Sequence, residues 1–431
     1  MSGHAPSGAG AAPPARIIAF FGHDRHDSAI RKRVSAFERH GARVIRFMFH
    51  RERPNLPPMP ADGAIELGAT LDLAYGRRLA SLLSALRIIR AHASALRSAD
   101  IVYARNLDML ALAAAARRLA GSRAPLVYEA LDVRRVMVGH GAVSRLFRFA
   151  ERRLLAMCDA LVVSSPDYMS RYFWPVQGFT GQWRLIENKL VGPPPAAIGP
   201  PPDRGPSPPQ AGEPWIIGWF GVLKCRRSLD ILTRVAEALG PRCVIQVRGI
   251  VSDSEIPPSM VAGIASRHAN IVFAGPYANP DDLSAIYGQV HITWAADFLD
   301  PEANSAWCLP NRLYEGGAHG SVLLASGGTA TAARIERDRL GWTLDEPLEE
   351  TTPAFLAALD SATYRAARRA VQEAPQHLFY DIHDTADLLE FFDSLVRRER
   401  CSTVRPPPPI GLDGAGGCRA QQDEMTPRSS P

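Results

Sequence analysis

The sequence predicts an α/β protein of two doubly wound domains, each built around a parallel sheet. Short apolar runs typical of buried strands alternate with segments of helical periodicity along residues 16–192, and the alternation restarts along residues 215–400. Residues 193–214 are rich in proline, separate the two halves and cannot pack a core. A chain of 431 residues suits two domains, since single hydrophobic cores stop growing near about 250–300 residues.

The first half opens with a strand, a helix and a second strand. Residues 15–23 form an apolar run, residues 28–41 have helical periodicity that closes at Gly41, and residues 42–50 are again typical of a strand. This opening implies a parallel sheet. Further strands are predicted at 99–106, 125–133 and 159–165, helices at 77–98, 107–121 and 143–157, and a closing segment at 183–190.

The second half repeats this order after the linker. Strands are predicted at 214–221, 243–250, 270–277, 290–297 and 321–328, and helices at 228–240, 280–289, 331–339 and 385–400, with a further short helix after Pro310. Residues 1–15 lack the charged and apolar regions of a signal peptide and are predicted to be a flexible leader. Residues 401–431 are predicted to be a disordered tail.

Charge is distributed unevenly between the halves. Residues 1–190 contain 28 Lys and Arg against 15 Asp and Glu, whereas residues 191–431 contain 21 against 29. This asymmetry suggests that the first half meets an anionic partner, such as a membrane surface. A general preference for arginine is the alternative explanation, because lysine occurs only at positions 32, 189 and 224.

The cysteines and the apolar runs narrow the class of protein further. The six cysteines form no CxxC pair, and no histidine cluster has metal-ligand spacing, so neither a disulfide framework nor a zinc site is predicted. No apolar run approaches the roughly 20 residues that span a bilayer. We therefore predict a cytoplasmic protein whose membrane contact, at the inner face of the membrane, would be peripheral. No nucleic-acid motif is present.

Several segments carry a resemblance to a known family. Together they resemble the GT-B-fold retaining glycosyltransferases of family 4, over roughly residues 16–395, and the most specific of them is PNRLYEGGAHGSVLLA at 310–325. The supporting segments are 127–133, 185–190, 216–232 and 270–294. The variant around Trp307 is similar to exopolysaccharide transferases of the succinoglycan type. The resemblance implies two Rossmann-like domains facing a cleft, with a C-terminal helix that packs back toward the first domain.

The resemblance also implies a donor site in the second half. Glu315 matches the glutamate that accepts hydrogen bonds from the ribose hydroxyls, and Arg312 falls where relatives carry a lysine that faces the diphosphate. Pro310 would begin a helix whose N–H groups at 311–313 point at an anion. Arg227 stands at the family's lysine and is assigned to the leaving diphosphate as a catalytic residue. The donor-binding residues implied are Glu315, Arg312, Asn311, Lys224, Arg226, Gly249 and Tyr277.

The first half would carry the acceptor side of the cleft. His23 and Asp24 follow the first strand, where the family has a glycine-rich loop, and are assigned catalytic roles. The acceptor-side residues implied are Gly22, Arg105, Asn106, Glu129 and Asp132. The chain departs from the family at three positions: Trp307 replaces the first glutamate, for which Asp297, Asp300 or Glu302 could substitute, Val222 replaces a loop arginine, and Leu131 replaces a loop histidine.

These residues imply transfer of a sugar from a nucleotide-sugar to a hydroxyl with retention, onto a glycan or lipid-linked glycan of exopolysaccharide or cell-surface assembly. Cationic side chains and a helix N-terminus would stabilise the leaving diphosphate, so no metal or other cofactor is expected. Two alternatives stay open. A sugar-nucleotide epimerase of the same fold would need clustered acids with a histidine, and a catalytically degenerate binding or scaffold protein would agree with Trp307 and Leu131.

Overall fold

The computed structural model describes residues 16–50, 63–69, 75–192, 205–252 and 255–403. The predicted leader, residues 193–204 of the predicted linker and most of the predicted tail lie outside these ranges. The elements are numbered in chain order. The strands are β1 (Ile17–Gly22), β2 (Arg43–His50), β3 (Ile65–Ala69), β4 (Ile101–Arg105), β5 (Leu126–Ala130), β6 (Ala160–Val163), β7 (Trp183–Leu185), β8 (Leu190–Val191), β9 (Trp215–Leu223), β10 (Cys243–Val251), β11 (Ile271–Phe273), β12 (Ile292–Trp294), β13 (Val322–Ser326), β14 (Gly341–Leu344) and β15 (Tyr380–Asp381).

The helices connect these strands. They are α1 (Ser28–Arg39), α2 (Tyr75–Ala91), α3 (Ala93–Ser98), α4 (Leu107–Ala120), α5 (Arg135–Val138), α6 (Ala142–Leu155), α7 (Pro166–Tyr168), α8 (Arg226–Leu239), α9 (Pro258–Arg267), α10 (Leu283–Tyr287), α11 (Asn304–Trp307), α12 (Asn311–Ala318), α13 (Ala330–Asp338), α14 (Leu348–Ala358), α15 (Ser361–Glu373) and α16 (Asp384–Thr403). Among the longer elements, the helices α9, α14 and α15 and the strands β3 and β14 were not predicted from the sequence.

Two parallel sheets confirm the predicted doubly wound architecture. The first has the strand order β3-β2-β1-β4-β5-β6-β7 and the second the order β11-β10-β9-β12-β13-β14. Every strand pair in both sheets is parallel. The order reverses between β1 and β4 and again between β9 and β12. Ligands of such folds bind outside the carboxyl ends of the strands at these switch points, so each domain presents one predicted binding edge.

The C-terminal helix α16 packs against the first domain, as predicted. Phe392 is buried there, with its ring 5.9 Å from that of Tyr103 and 6.1 Å from that of Phe37. Arg16 donates from Nε to Asp393 at 2.6 Å, which ties the start of β1 to α16. β15 also pairs with β8. The end of the chain therefore joins the two domains a second time.

His291 anchors the segment that leads into the second domain. The Ile216 N–H donates to its Nδ1 at 3.0 Å, and its Nε2 lies 3.0 Å from the carbonyl oxygen of Ser207, which places the proton on Nε2. Burial lowers the pKa of His291 to about 4, because a charged imidazole would lose its hydration and its Nδ1 acceptor.

This burial predicts a loss of stability in mild acid. The folded-state pKa lies below the ordinary value of 6.5, so the unfolded chain takes up a proton first as the pH falls from 6.5 toward 4. Between pH 7 and pH 5 we expect the free energy of unfolding to drop by about 2 kcal/mol from this residue alone. Urea unfolding at both pH values measures it. His291→Gln should remove that part of the pH dependence, and equal losses in both proteins would contradict the assignment.

Candidate functional site

Glu315 is held in a fixed position on α12, facing the binding edge of the second domain. Its side chain is buried, with 2% of its surface exposed. Asn279 donates from Nδ2 to Oε1 at 2.9 Å, and the Tyr287 hydroxyl donates to Oε2 at 3.0 Å. His319 stacks on the Tyr287 ring with centroids 5.9 Å apart. Each carboxylate oxygen accepts one of these hydrogen bonds and has a second lone pair that can accept another.

Arg312 stands one turn before Glu315 on α12, at the switch point between β9 and β12. Arg312 donates from Nη2 to the carbonyl oxygen of Ala296, directly after β12, at 2.8 Å. Burial and the negative charge of Glu315 raise the pKa of Tyr277, and Arg312 opposes them. The structure thus brings the predicted residues Glu315, Arg312 and Tyr277 into one cluster.

Cys308 lies at the same binding edge of the second domain, close to Arg312. Burial, with Asp297, raises its pKa to about 12, while Arg312 and Lys224 oppose the rise. Lys224 follows β9 and Asp297 follows β12, so both lie where the strand order reverses. Of the acids proposed to replace the missing first glutamate, Asp297 therefore lies near Arg312 and Lys224, with Cys308 between these charges. Glu302 is exposed.

Arg227 and Gly249 make contacts within the second domain, and their predicted donor-side roles stay predictions. Arg227 donates to Glu346 and Glu349 and lies 4.7 Å over the ring of Phe298. Two carboxylates therefore offset the positive charge of Arg227, which the resemblance assigned to stabilising the leaving diphosphate. Gly249 has φ +136°, and a Cβ there would lie 1.7 Å from the carbonyl oxygen of Gly221. Glycine is required at this position for close packing of β10 on β9.

Two further donor-side predictions are modified. Arg226 is exposed, and its Nε lies 3.9 Å from Asp230 on its own helix. Leu313 donates its N–H to the carbonyl oxygen of Pro310 at 3.0 Å. That N–H is engaged within the turn, so the predicted anion contact at 311–313 is reduced to the N–H groups of Asn311 and Arg312.

His23 and Asn106 meet at the switch point of the first domain. The Nδ1 atom of His23 lies 3.2 Å from Nδ2 of Asn106, and its Nε2 lies 3.5 Å from Asp27. Burial alone would raise the pKa of Asp27, but His23 and Arg105 hold it below its usual value. Asp24 is buried beside them and accepts the N–H of His26 at 3.0 Å. Gly22 ends β1 under this loop, where a Cβ would lie 2.5 Å from the sulfur of Met48.

Asn106 has a strained backbone, with φ 74° and ψ 160°. This region is populated almost only by glycine, and strain of this kind is typical of functional sites. We expect Asn106→Ala to cost about 1–2 kcal/mol more stability than Asn106→Gly, because only glycine adopts this backbone without strain. Urea unfolding of both variants measures the difference. Equal stabilities would show that the loop relaxes when the amide is removed.

Glu129 lies beneath the first-domain edge. Its carboxylate is fully buried, accepts from Arg33 at 3.0 and 3.1 Å, and lies 3.3 Å from Nε of Arg105. Burial would raise the pKa of Glu129, but Arg105 and Arg33 together hold it below its usual value. Glu129 and Arg105 therefore form a supporting ion cluster rather than an exposed acceptor surface. Asp132 is more exposed and lies 3.9 Å from Arg134.

Lys32 was missed by the sequence analysis, although it crosses the cleft. From α1 of the first domain, its Nζ donates to Asn311 Oδ1 on α12 at 3.0 Å and to the carbonyl oxygen of Asn188 at 3.2 Å. Burial lowers the pKa of Lys32, and Glu315 pulls it back up. Both hydrogen-bond acceptors are uncharged, and no carboxylate in the described part of the chain is bonded to this ammonium group. The sequence offered one signal for this residue, which is that lysine is rare in an arginine-rich chain.

Trp307 stands at the position where the family has its first glutamate. This side chain of the second domain packs into the core of the first. Beside it, Asn304 Oδ1 accepts from the Val133 N–H at 3.3 Å and from the Tyr168 hydroxyl at 2.7 Å, and Ser165 donates to the Trp307 carbonyl oxygen. The segment serves as a contact between the domains.

Two kinds of feature are absent from the described residues. Among them, no group of three or more His, Cys, Asp or Glu residues is arranged to hold a metal ion. Within the same ranges, no helix combines the length and apolar character that crossing a membrane requires.

Similar solved structures identify the fold class to which this architecture belongs. Sucrose-phosphate synthase from Thermosynechococcus elongatus has a TM-score of 0.66 at 14% identity, covering 89% of this chain and 100% of that chain. HepE from Anabaena, in complex with UDP and glucose, has a TM-score of 0.62 at 13% identity, covering 88% and 100%. The two facing domains thus form the GT-B fold of glycosyltransferases, as the resemblance implied.

Sequence comparison then gives the family. Residues 27–188 match the family described as glycosyl transferase 4-like domain. Over 404 residues the chain is 35% identical to the succinoglycan biosynthesis protein ExoL of Rhizobium meliloti (strain 1021), covering 93% of this chain and 97% of that protein. The chain belongs to this family of glycosyltransferases, and it is an enzyme of the transferase class.

Proposed function

We propose that the protein transfers a sugar from a nucleotide-sugar to a hydroxyl of a glycan or lipid-linked glycan in exopolysaccharide biosynthesis. The observation that carries this proposal is the buried Glu315 carboxylate, held by Asn279 and Tyr287 beside Arg312 and Tyr277. A carboxylate in this setting suits two vicinal ribose hydroxyls. The names of two similar proteins support it, since ExoL is a succinoglycan biosynthesis protein and HepE has been solved with UDP and glucose.

The chemistry requires stabilisation of a departing diphosphate. Arg312 and Lys224 supply positive charge from the second domain, and Lys32 supplies it from the first. Fixed cations of this kind favour the charge that develops as the sugar–phosphate bond breaks. The leaving phosphate takes the acceptor proton on the same face of the sugar, which gives retention. Because Lys32 bonds to Asn311 across the cleft, closure of the domains completes the site.

The acceptor would enter from the first domain. His23 and Asn106 lie at the carboxyl ends of β1 and β4, opposite the donor cluster. The excess of arginine in this half favours an acceptor carried on a lipid diphosphate at the inner face of the membrane, with the protein bound peripherally.

A thermal-shift panel of nucleotide-sugars tests the donor assignment. A ligand that binds only the folded state raises the melting temperature, so we expect one nucleotide class to stabilise the protein and its sugar forms to be consumed when an acceptor is added. Conversion of the nucleotide-sugar alone into an epimer would overturn transfer in favour of epimerisation. Binding without turnover across acceptors would favour a scaffold, and no shift with any nucleotide would refute the donor site.

A further inference from the structure

Helix α6 presents an apolar face to solvent. Val143, Leu146 and Phe149 follow one another at helical spacing, and 61%, 65% and 52% of their surfaces are exposed. A surface helix of a water-soluble domain normally turns its polar side outward. Single exposed apolar residues are ordinary, but three on one face of one helix mark an interaction surface. We call these three residues the α6 face.

Arginines border the α6 face, and no described residue forms an ion pair with any of them. Arg145, Arg148 and Arg152 donate to backbone carbonyl oxygens, which leave their charge in place. Arg153 lies 5.0 Å over the ring of Phe149. The one acid of the helix, Glu151, is buried, where it accepts from two tyrosine hydroxyls and a glutamine amide. The surface is therefore apolar at its centre and positive at its margin.

The α6 face lies beside the cleft. α5 and the start of α6 follow the carboxyl end of β5, which is the ligand-binding edge of the first sheet. Asp300 of the second domain lies against Arg135 on α5, which places this edge at the rim between the domains. A surface docked on α6 would deliver molecules embedded in it toward the first-domain side of the site.

We propose that the α6 face docks the protein on an anionic phospholipid bilayer, with Leu146 and Phe149 inserted among the headgroups and the arginines on lipid phosphates. This inference rests on the peripheral membrane contact proposed above and names its surface. An apolar face bordered by arginines is the arrangement that lies in a membrane interface. A symmetric pairing of two copies through this face would bring like charges together, so the charge distribution favours lipid.

Vesicle flotation of the full chain tests the proposal. Wild type should float with phosphatidylglycerol–phosphatidylcholine vesicles, less so as salt rises, and bind phosphatidylcholine vesicles weakly. The double variant Leu146→Asp, Phe149→Asp should lower the bound fraction by about tenfold or more. Arg145→Gln with Arg153→Gln should reduce binding to the anionic vesicles alone. The matched control is Val272→Asp on β11, another exposed apolar position, which should bind as wild type.

The other outcomes are also decisive. Undiminished flotation of the double aspartate variant, or absence of flotation by wild type, would overturn the proposal. A dimer in sedimentation that dissociates in the double aspartate variant would assign the face to a second copy of the chain. Unchanged melting temperatures show that the variants fold. Vesicle binding needs neither the donor nor turnover. A negative flotation result therefore does not affect the donor assignment, and a negative result in the nucleotide panel does not affect the assignment of the α6 face.

Discussion

Glu315→Gln should lower the affinity for the nucleotide-sugar by about 100-fold and reduce transfer at least as much, because hydrogen bonds to a charged group contribute about 1.5–3 kcal/mol each. The wild-type oxygens already accept from Asn279 and Tyr287 and, in the proposed complex, also accept from two ribose hydroxyls. Glutamine has the same shape but replaces one acceptor by a donor. That donor would face either the Asn279 amide or the Tyr287 hydroxyl. Calorimetric titration and initial rates measure both effects.

Glu350→Gln is the matched control, since it changes an exposed glutamate on a helix of the same domain. It should leave binding and rate unchanged. Tyr287→Phe should give a smaller loss than Glu315→Gln, because it removes one of the two groups that orient the carboxylate. Full nucleotide affinity in Glu315→Gln would show that the ribose binds elsewhere.

Lys32→Met should lower kcat by about 100- to 1000-fold, the usual cost of removing one group that stabilises charge in a transition state. The reason is its position: the ammonium group reaches Asn311 across the cleft, whereas Arg227 is held by Glu346 and Glu349. Methionine keeps the length of the side chain without the charge. Affinity for a nucleoside diphosphate should fall, while affinity for the nucleoside stays constant. Binding of the two ligands, measured side by side, separates a charge effect from a structural one.

Lys32→Arg should recover part of the rate, because it restores the charge. Arg43→Met removes one positive charge from an exposed position of the same domain and should change neither rate nor affinity. Equal losses of nucleoside and nucleoside diphosphate affinity in Lys32→Met would instead assign Lys32 to the contact between the domains.

The architecture could be predicted because its cause is local. Buried strands such as β1 and β9 are continuous apolar runs, and the helices between them have a period close to 3.6, so both parallel sheets follow from alternation along the chain. The placement of Glu315 and Arg312 on one short helix was also a local prediction. The helices α14 and α15 were not predicted, and α14 contains Pro353, a residue that normally argues against a helix.

The sequence by itself determined two doubly wound domains, the cleft edges and the carboxylate at 315. Only the tertiary structure decided which basic side chains reach that edge and which are paired elsewhere. Arg227 is paired with Glu346, which lies 119 residues away along the chain. Lys32 instead bonds to the uncharged Asn311, which lies 279 residues away. It also decided that Trp307 joins the domains and that the apolar side of α6 faces outward. Pairings between distant elements depend on how the two domains pack, and no short-range periodicity encodes that geometry.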